Sequence, residues 1–221
     1  MNVAIEKNRK SADSWGLNEK EFSLLHSLST PEKIQDFLDA LPRNNEKEGH
    51  TCASPRVILR EKKAHCIEGA YIAALALWMH GERPLLLDLK ASHGDDDHVV
   101  ALYKRNGYFG AISKTNHPVL RFRDPIYRTL RELALSYFHE YCLLSDGRKT
   151  LRSYSRPFSL KRFGTEWITR EGDLWDIASE LDQSKHYAIV PAGNEQYLRP
   201  ASGIERKAAG IFEWPMKDPR T

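Results

Sequence analysis

The sequence predicts an α+β domain in which a helix buried on nearly every side packs on an antiparallel sheet. Three features lead to this. The segment opening at Cys66 is apolar almost all round, with Ile67, Ala70, Tyr71, Ala74, Leu77 and Trp78 on one face and Ala73, Leu75 and Ala76 filling much of the rest, the mark of a central helix. The short apolar run at 85–89 reads as a buried strand. Asn106-Gly107 between two strand-like segments is a strong hairpin signal.

The elements follow in order. Residues 1–17 are expected to form a flexible N-terminus. Residues 18–221 are read as a single domain, with 150–221 a C-terminal extension. Asn18 caps a short helix carrying Phe22, Leu24 and Leu25. Thr30-Pro31 is a capping residue followed by Pro at the first helical position, and Ile34, Phe37, Leu38 and Leu41 repeat at helical spacing. Residues 43–50 form a polar loop, and Ser54-Pro55 opens another helix. Gly81 is a natural cap for the buried helix. After the strand at 85–89 and a polar loop at 92–97, residues 99–105 and 108–115 pair as a hairpin. If Asn106-Gly107 is the turn, Arg105 pairs with Tyr108, His98 lies opposite Thr115, and Ser113 is a diagonal neighbour of His98. Asp124-Pro125 is expected to start a long amphipathic helix reaching Tyr141. A helix over 174–181 and a strand over 187–190 complete the reading.

Composition narrows the function. The 33 Lys and Arg residues against 30 Asp and Glu give a net charge of +3. That excess is small for a nucleic-acid binder, which carries a basic face or stripe, so no nucleic-acid partner is expected. Three cysteines, Cys52, Cys66 and Cys142, do not make a disulfide framework and point to a reducing, cytoplasmic setting. The longest apolar run, at 72–79, is too short to cross a bilayer, and no membrane partner is expected.

A thiol nucleophile needs thiolate character, which a helix N-terminus supplies, together with a base and a group that holds the base. Cys66 stands where the buried helix begins, and Lys62, Lys63 and His65 just upstream add positive charge. His98 opens a strand after a polar loop, a rim position suited to a base. Ser113 or Asn116 would orient the ring, and Asp97 beside it could contribute electrostatically. A cysteine on an apolar helix is more often a small buried hydrophobe. The ordered set of Cys, Gly-Pro, strand, His and hairpin is what distinguishes Cys66, whereas Cys52 and Cys142 lack such a context and read as structural.

The segment from Cys66-Ile67-Glu68-Gly69-Ala70 through Gly81-Glu82-Arg83-Pro84, the strand, and His98 at the head of a hairpin resemble the nucleophile region of the transglutaminase-like superfamily, over residues 55–120. The resemblance implies a papain-like fold and acyl-enzyme chemistry on a peptide-like amide, an ester or a thioester. The substrate would be a peptide, a protein or a small amide or ester, and no cofactor is implied. Two departures stand out. Ser113 falls where the family has an Asp, with Asn116 three residues on, and no Gln precedes Cys66 after Gln35. The backbone N–H of Cys66 remains as an oxyanion donor. The incomplete set leaves a second possibility, a catalytically inactive peptide- or protein-binding module.

Two further clusters read as solvated. Asp95-Asp96-Asp97-His98 with His93 could ligate a metal, but no second cluster with zinc-type spacing and no EF-hand pattern accompanies it, and no metal is expected. Arg121, Arg123, Arg128 and Arg131 are neutralised by Asp124 and Glu132.

Overall fold

A computed structural model describes residues 11–44 and 51–213. The expectations for residues 1–10, for 45–50 of the polar loop and for 214–221 lie outside the described residues. The fold is α+β: a seven-stranded antiparallel sheet and seven α-helices among the described residues.

Local sequence signals set the first helices. Asn18 caps α1 (Glu19–Ser27) and Glu21 returns the bond, a full capping box. Thr30 caps α2 (Pro31–Asp39) and Ser54 caps α3 (Pro55–Glu61), each with Pro at the start. All three pack around α4 (Cys66–Met79), where residues from Glu68 to Leu77 are buried without interruption. The chain then runs through β1 (Leu85–Ala91), β2 (His98–Arg105) and β3 (Tyr108–Ile112). Asn106 and Gly107 both take positive φ, 51° and 87°, the twist a two-residue hairpin turn requires. The register pairs Arg105 with Tyr108 and Ala101 with Ile112, as the turn dictates.

The sheet is covered on both faces. Leu86, Val99, Ala101, Tyr103 and Ile112 pack with α4. Leu87, Leu89, Val100, Leu102 and Ala111 pack with Leu133, Ala134 and Tyr137 of α5 (Leu130–Tyr137). Burial on both faces is why Leu85, Leu86, Leu87 and Leu89 of β1 do not alternate with solvent-facing polar residues, Asp88 among them being buried as well.

The structure corrects one expectation, the single helix from Asp124 to Tyr141, and gives form to two segments the sequence left open. A 3₁₀ turn at Ala12–Trp15 buries Trp15 edge-on against Trp78, with ring centroids 5.0 Å apart. The expected helix from Asp124 to Tyr141 is two elements. Arg123–Tyr127 forms β4, and α5 begins only after Thr129, whose side chain accepts from the Glu132 N–H. Pro125 marks an edge strand rather than a helix start, since an edge tolerates a missing N–H, and β4 lies at one end of the sheet beside β3. The segment from residue 150, expected only as a C-terminal extension, enters the same sheet. β5 (Leu151–Ser155) and β6 (Phe158–Ser159) pair with successive halves of β1, and β7 (His186–Ala188) adds to β5. The helices α6 (Trp175–Asp182) and α7 (Gly203–Ala209) complete the chain's described part.

Candidate active site

Cys66 is the first residue of α4, so its N–H has no intrahelical acceptor and its thiol sits at the positive end of the helix. It lines a cleft with His65, Asp97, His98, Asn116 and Tyr141. The three cysteines differ sharply. Burial pushes Cys52 up to about 12 and also raises Cys142. Burial would raise Cys66 as well, but hydrogen bonds from the His65 and His98 rings, and their charges, outweigh it and bring the thiol down to about 5.

His98 heads β2 and is buried. Its Nε2 lies 2.7 Å from Ser113 Oγ. The Ser113 hydroxyl donates its proton to the Leu120 carbonyl at 2.5 Å, so toward His98 it can only accept. His98 therefore carries a proton on Nε2, which leaves Nδ1 as its free ring nitrogen. Ser113 is fixed in turn. Gln35 of α2 accepts from its N–H at 3.0 Å and donates to its carbonyl at 2.8 Å, pairing with it as a neighbouring strand would. Leu120 takes a positive φ of 59°, unusual for a bulky side chain, and Glu140 accepts from its N–H at 2.7 Å while pairing with Arg123 at 2.6 Å. Arg123 and Arg131, read from sequence as part of a solvated cluster, thus have structural roles, Arg131 by donating to the Ala188 and Ile189 carbonyls.

His65 precedes α4 and closes the other side. Its Nε2 is 2.7 Å from the Thr51 carbonyl and 3.5 Å from Glu68 Oε1. Burial pulls this imidazole down, but the hydrogen bond to Cys66 and the charges of Cys66 and Glu68 raise it to about 9. Glu68 is fully buried and accepts from Thr51 Oγ1 at 2.9 Å, from the Ala53 N–H at 3.0 Å and from the His65 N–H at 3.0 Å. At neutral pH the arrangement is a thiolate flanked by a histidinium.

The structure brings Cys66, His98 and Ser113 together and sets Asn116 apart. Asn116 Oδ1 accepts from the buried Lys114 ammonium at 2.9 Å, so Asn116 holds the cleft wall rather than His98. Lys114 also donates to the Leu41 carbonyl at 2.7 Å, and burial lowers it to about 8. Its side chain crosses the first turn of α4 where Gly69 leaves room: a Cβ there would lie 2.3 Å from Lys114 Cβ. The Asp97 carboxylate turns from His98 to accept the Ala91 N–H at 2.7 Å, while its carbonyl lies 4.0 Å from Cys66 Sγ. Tyr141 anchors this loop by donating to the Asp96 and Leu89 carbonyls.

Sequence reasoning gave His65 only a diffuse positive charge. The Glu68 at the third helical position was the available signal for its pairing, being the Glu of a capping box. Thr51, Gln35 and Glu140 reach the site from remote segments and left no local signal. No helix of the described residues is long and apolar enough to cross a membrane. The chain matches no family model and no curated protein.

Proposed function

We propose that this chain is a thiol-dependent acyl-transfer enzyme with a transglutaminase-like, papain-related fold, acting on a peptide-like amide, an ester or a thioester. The observation that carries the reading is Cys66 at the N-terminus of α4, sharing a cleft with His65 and His98, with His98 Nε2 held by a Ser113 hydroxyl that can only accept. A Cys-headed buried helix against an antiparallel sheet whose hairpin bears the histidine supports the fold assignment.

In this mechanism the Cys66 thiolate attacks the carbonyl carbon, and the Cys66 N–H donates to the oxyanion. The proton that the Cys66 thiol gives up passes through His98 to the leaving amine, alcohol or thiol, and the thioester acyl-enzyme forms. Water or an amine then attacks, His98 takes the proton, and the thiolate departs. Ser113 holds the Nε2 proton throughout, the part an Asn or Asp plays in related triads.

The test is the pH dependence of iodoacetamide alkylation at each cysteine, followed by a screen of peptide amides, esters and thioesters. Because the thiol is depressed, thiolate reactivity should persist down to about pH 5 at Cys66 and fall only below it. Cys52 should stay inert. Cys66→Ala should abolish turnover with unfolding unchanged, and turnover surviving that substitution would sink the proposal.

The neutral hydroxyl where a carboxylate would hold the base more strongly favours a second reading, a peptide-binding module that has lost its chemistry. Under it Cys66 alkylates like an ordinary thiol of pKa about 8.5, and peptides bind in the cleft without turnover.

A further inference from the structure

Away from the thiol, three carboxylates from separate segments converge. Asp88 lies mid-strand in β1, Asp97 ends the loop before His98, and Asp182 is the last residue of α6. One oxygen from each lies within 4.8 Å of the others. An acidic cluster alone is an ordinary solvated patch. Asp88 makes this one different. Its side chain is 2% exposed, its Oδ2 faces His186 Nε2 at 3.1 Å, and its Oδ1 has no hydrogen-bond partner in the protein. A buried carboxylate oxygen left without a partner is costly.

The other two acids are similarly half-engaged. Asp97 uses Oδ1 to accept from the Ala91 N–H, and Asp182 uses Oδ1 to pair with Lys90 Nζ at 2.5 Å. The protein's own hydrogen bonds thus leave Asp88 Oδ1, Asp97 Oδ2 and Asp182 Oδ2. Among the described residues, the cationic groups bonded to these three carboxylates are Lys90 and His186, so the cluster keeps a negative balance even with His186 protonated.

We propose that Asp88, Asp97 and Asp182 form a binding site for one hard divalent cation of the Mg²⁺, Mn²⁺ or Ca²⁺ class. An all-oxygen carboxylate set suits these ions, with water completing the shell, and lacks the thiolate or imidazole donors that select softer metals. The ion would tie β1 and α6 to the loop that delivers His98. The site stands on its own geometry, independently of the thiol chemistry. It was not legible in the sequence, where Asp97 belongs to a run of loop acids and its two partners lie in distant segments.

The experiment is Mn²⁺ titration of the chelator-treated full chain, followed by electron paramagnetic resonance, with thermal unfolding in Mg²⁺ and Ca²⁺ against NaCl at matched ionic strength. The expected result is saturable binding of one Mn²⁺ per chain with a rise in unfolding temperature. Asp182→Asn and Asp97→Asn should each weaken binding about tenfold or more, by removing ligand charge. Lys90→Gln should tighten it by removing the competing cation. These positions are chosen because a variant of the buried Asp88 could fail to fold. Binding should persist in Cys66→Ala, which separates this site from the thiol. No saturable binding into the millimolar range, or binding indifferent to both Asp variants, would overturn the proposal and leave Lys90 as the cluster's counter-ion.

Discussion

The two sides of Cys66 are built from opposite materials. On the helix side, His65 is locked between a carbonyl and the buried Glu68 carboxylate and is held as a cation. On the strand side, His98 is held by a hydroxyl that carries no charge. A histidine clamped by a carboxylate keeps its proton and is well suited to stabilise a thiolate. One held by a neutral acceptor is freer to release and retake its proton. Under the proposed acyl-transfer reading, charge setting and proton transfer fall to different residues, and a missing carboxylate beside His98 need not mean a missing thiolate.

The largest effect should come from separating the two histidines. His98→Ala removes the proton carrier and should lower turnover by about 10²–10⁴-fold at every pH. His65→Asn should instead move the midpoint of Cys66 alkylation up from about 5 toward the ordinary thiol range, since a hydrogen bond and a charge that lower it are lost. Its activity loss should therefore be greatest at mildly acidic pH and shrink as pH rises. Equal losses across the pH range for both variants would erase the division of labour.

Next in size is the hydroxyl itself. Ser113→Ala unpairs the His98 Nε2 proton and the Leu120 carbonyl, and should lower turnover about tenfold, equivalent to about 1.4 kcal/mol in the barrier. Ser113→Asp should do no better despite resembling a familiar triad. A carboxylate cannot donate to the Leu120 carbonyl at 2.5 Å and would be repelled by it. Steady-state kinetics of the two variants decide this, and a Ser113→Asp variant more active than the parent would show that the hydroxyl is a defect rather than a fit.

The smallest effect on chemistry, and the most direct on folding, concerns Glu68. Glu68→Gln places an amide NH₂ among donors that now meet a carboxylate, and should cost about 1–3 kcal/mol in urea unfolding. It should also lower the pH at which the His65 ring titrates, readable by NMR, because the Glu68 charge is one cause of its elevation. An unmoved His65 would break the link between the buried carboxylate and the thiolate.

The strand side was more legible than the helix side. Asn106-Gly107 fixes the hairpin register as far as Ala101 and Ile112, but the return strand expected to reach Thr115 ends there, and Ser113 meets His98 one residue beyond it, held by Gln35 and Leu120. The starts of α1 to α3 are written in their caps and prolines. What escaped reading depends on contacts between segments far apart in the chain. Thr51 meets His65 and Gln35 meets Ser113 only once the helices have packed. Pro125 has the same local meaning at a helix start and on a sheet edge, so only the neighbouring strand β3 decides between them.

The absent Cβ at Gly69 ties two distant positions into one unit of inheritance. Any side chain at 69 must displace Lys114, whose Cβ would stand 2.3 Å away. A smaller residue at 114 would in turn strip the Leu41 carbonyl and Asn116 of their donor. Neither position can drift alone without opening the wall beside the thiol, so over generations the two would be expected to change in step or not at all.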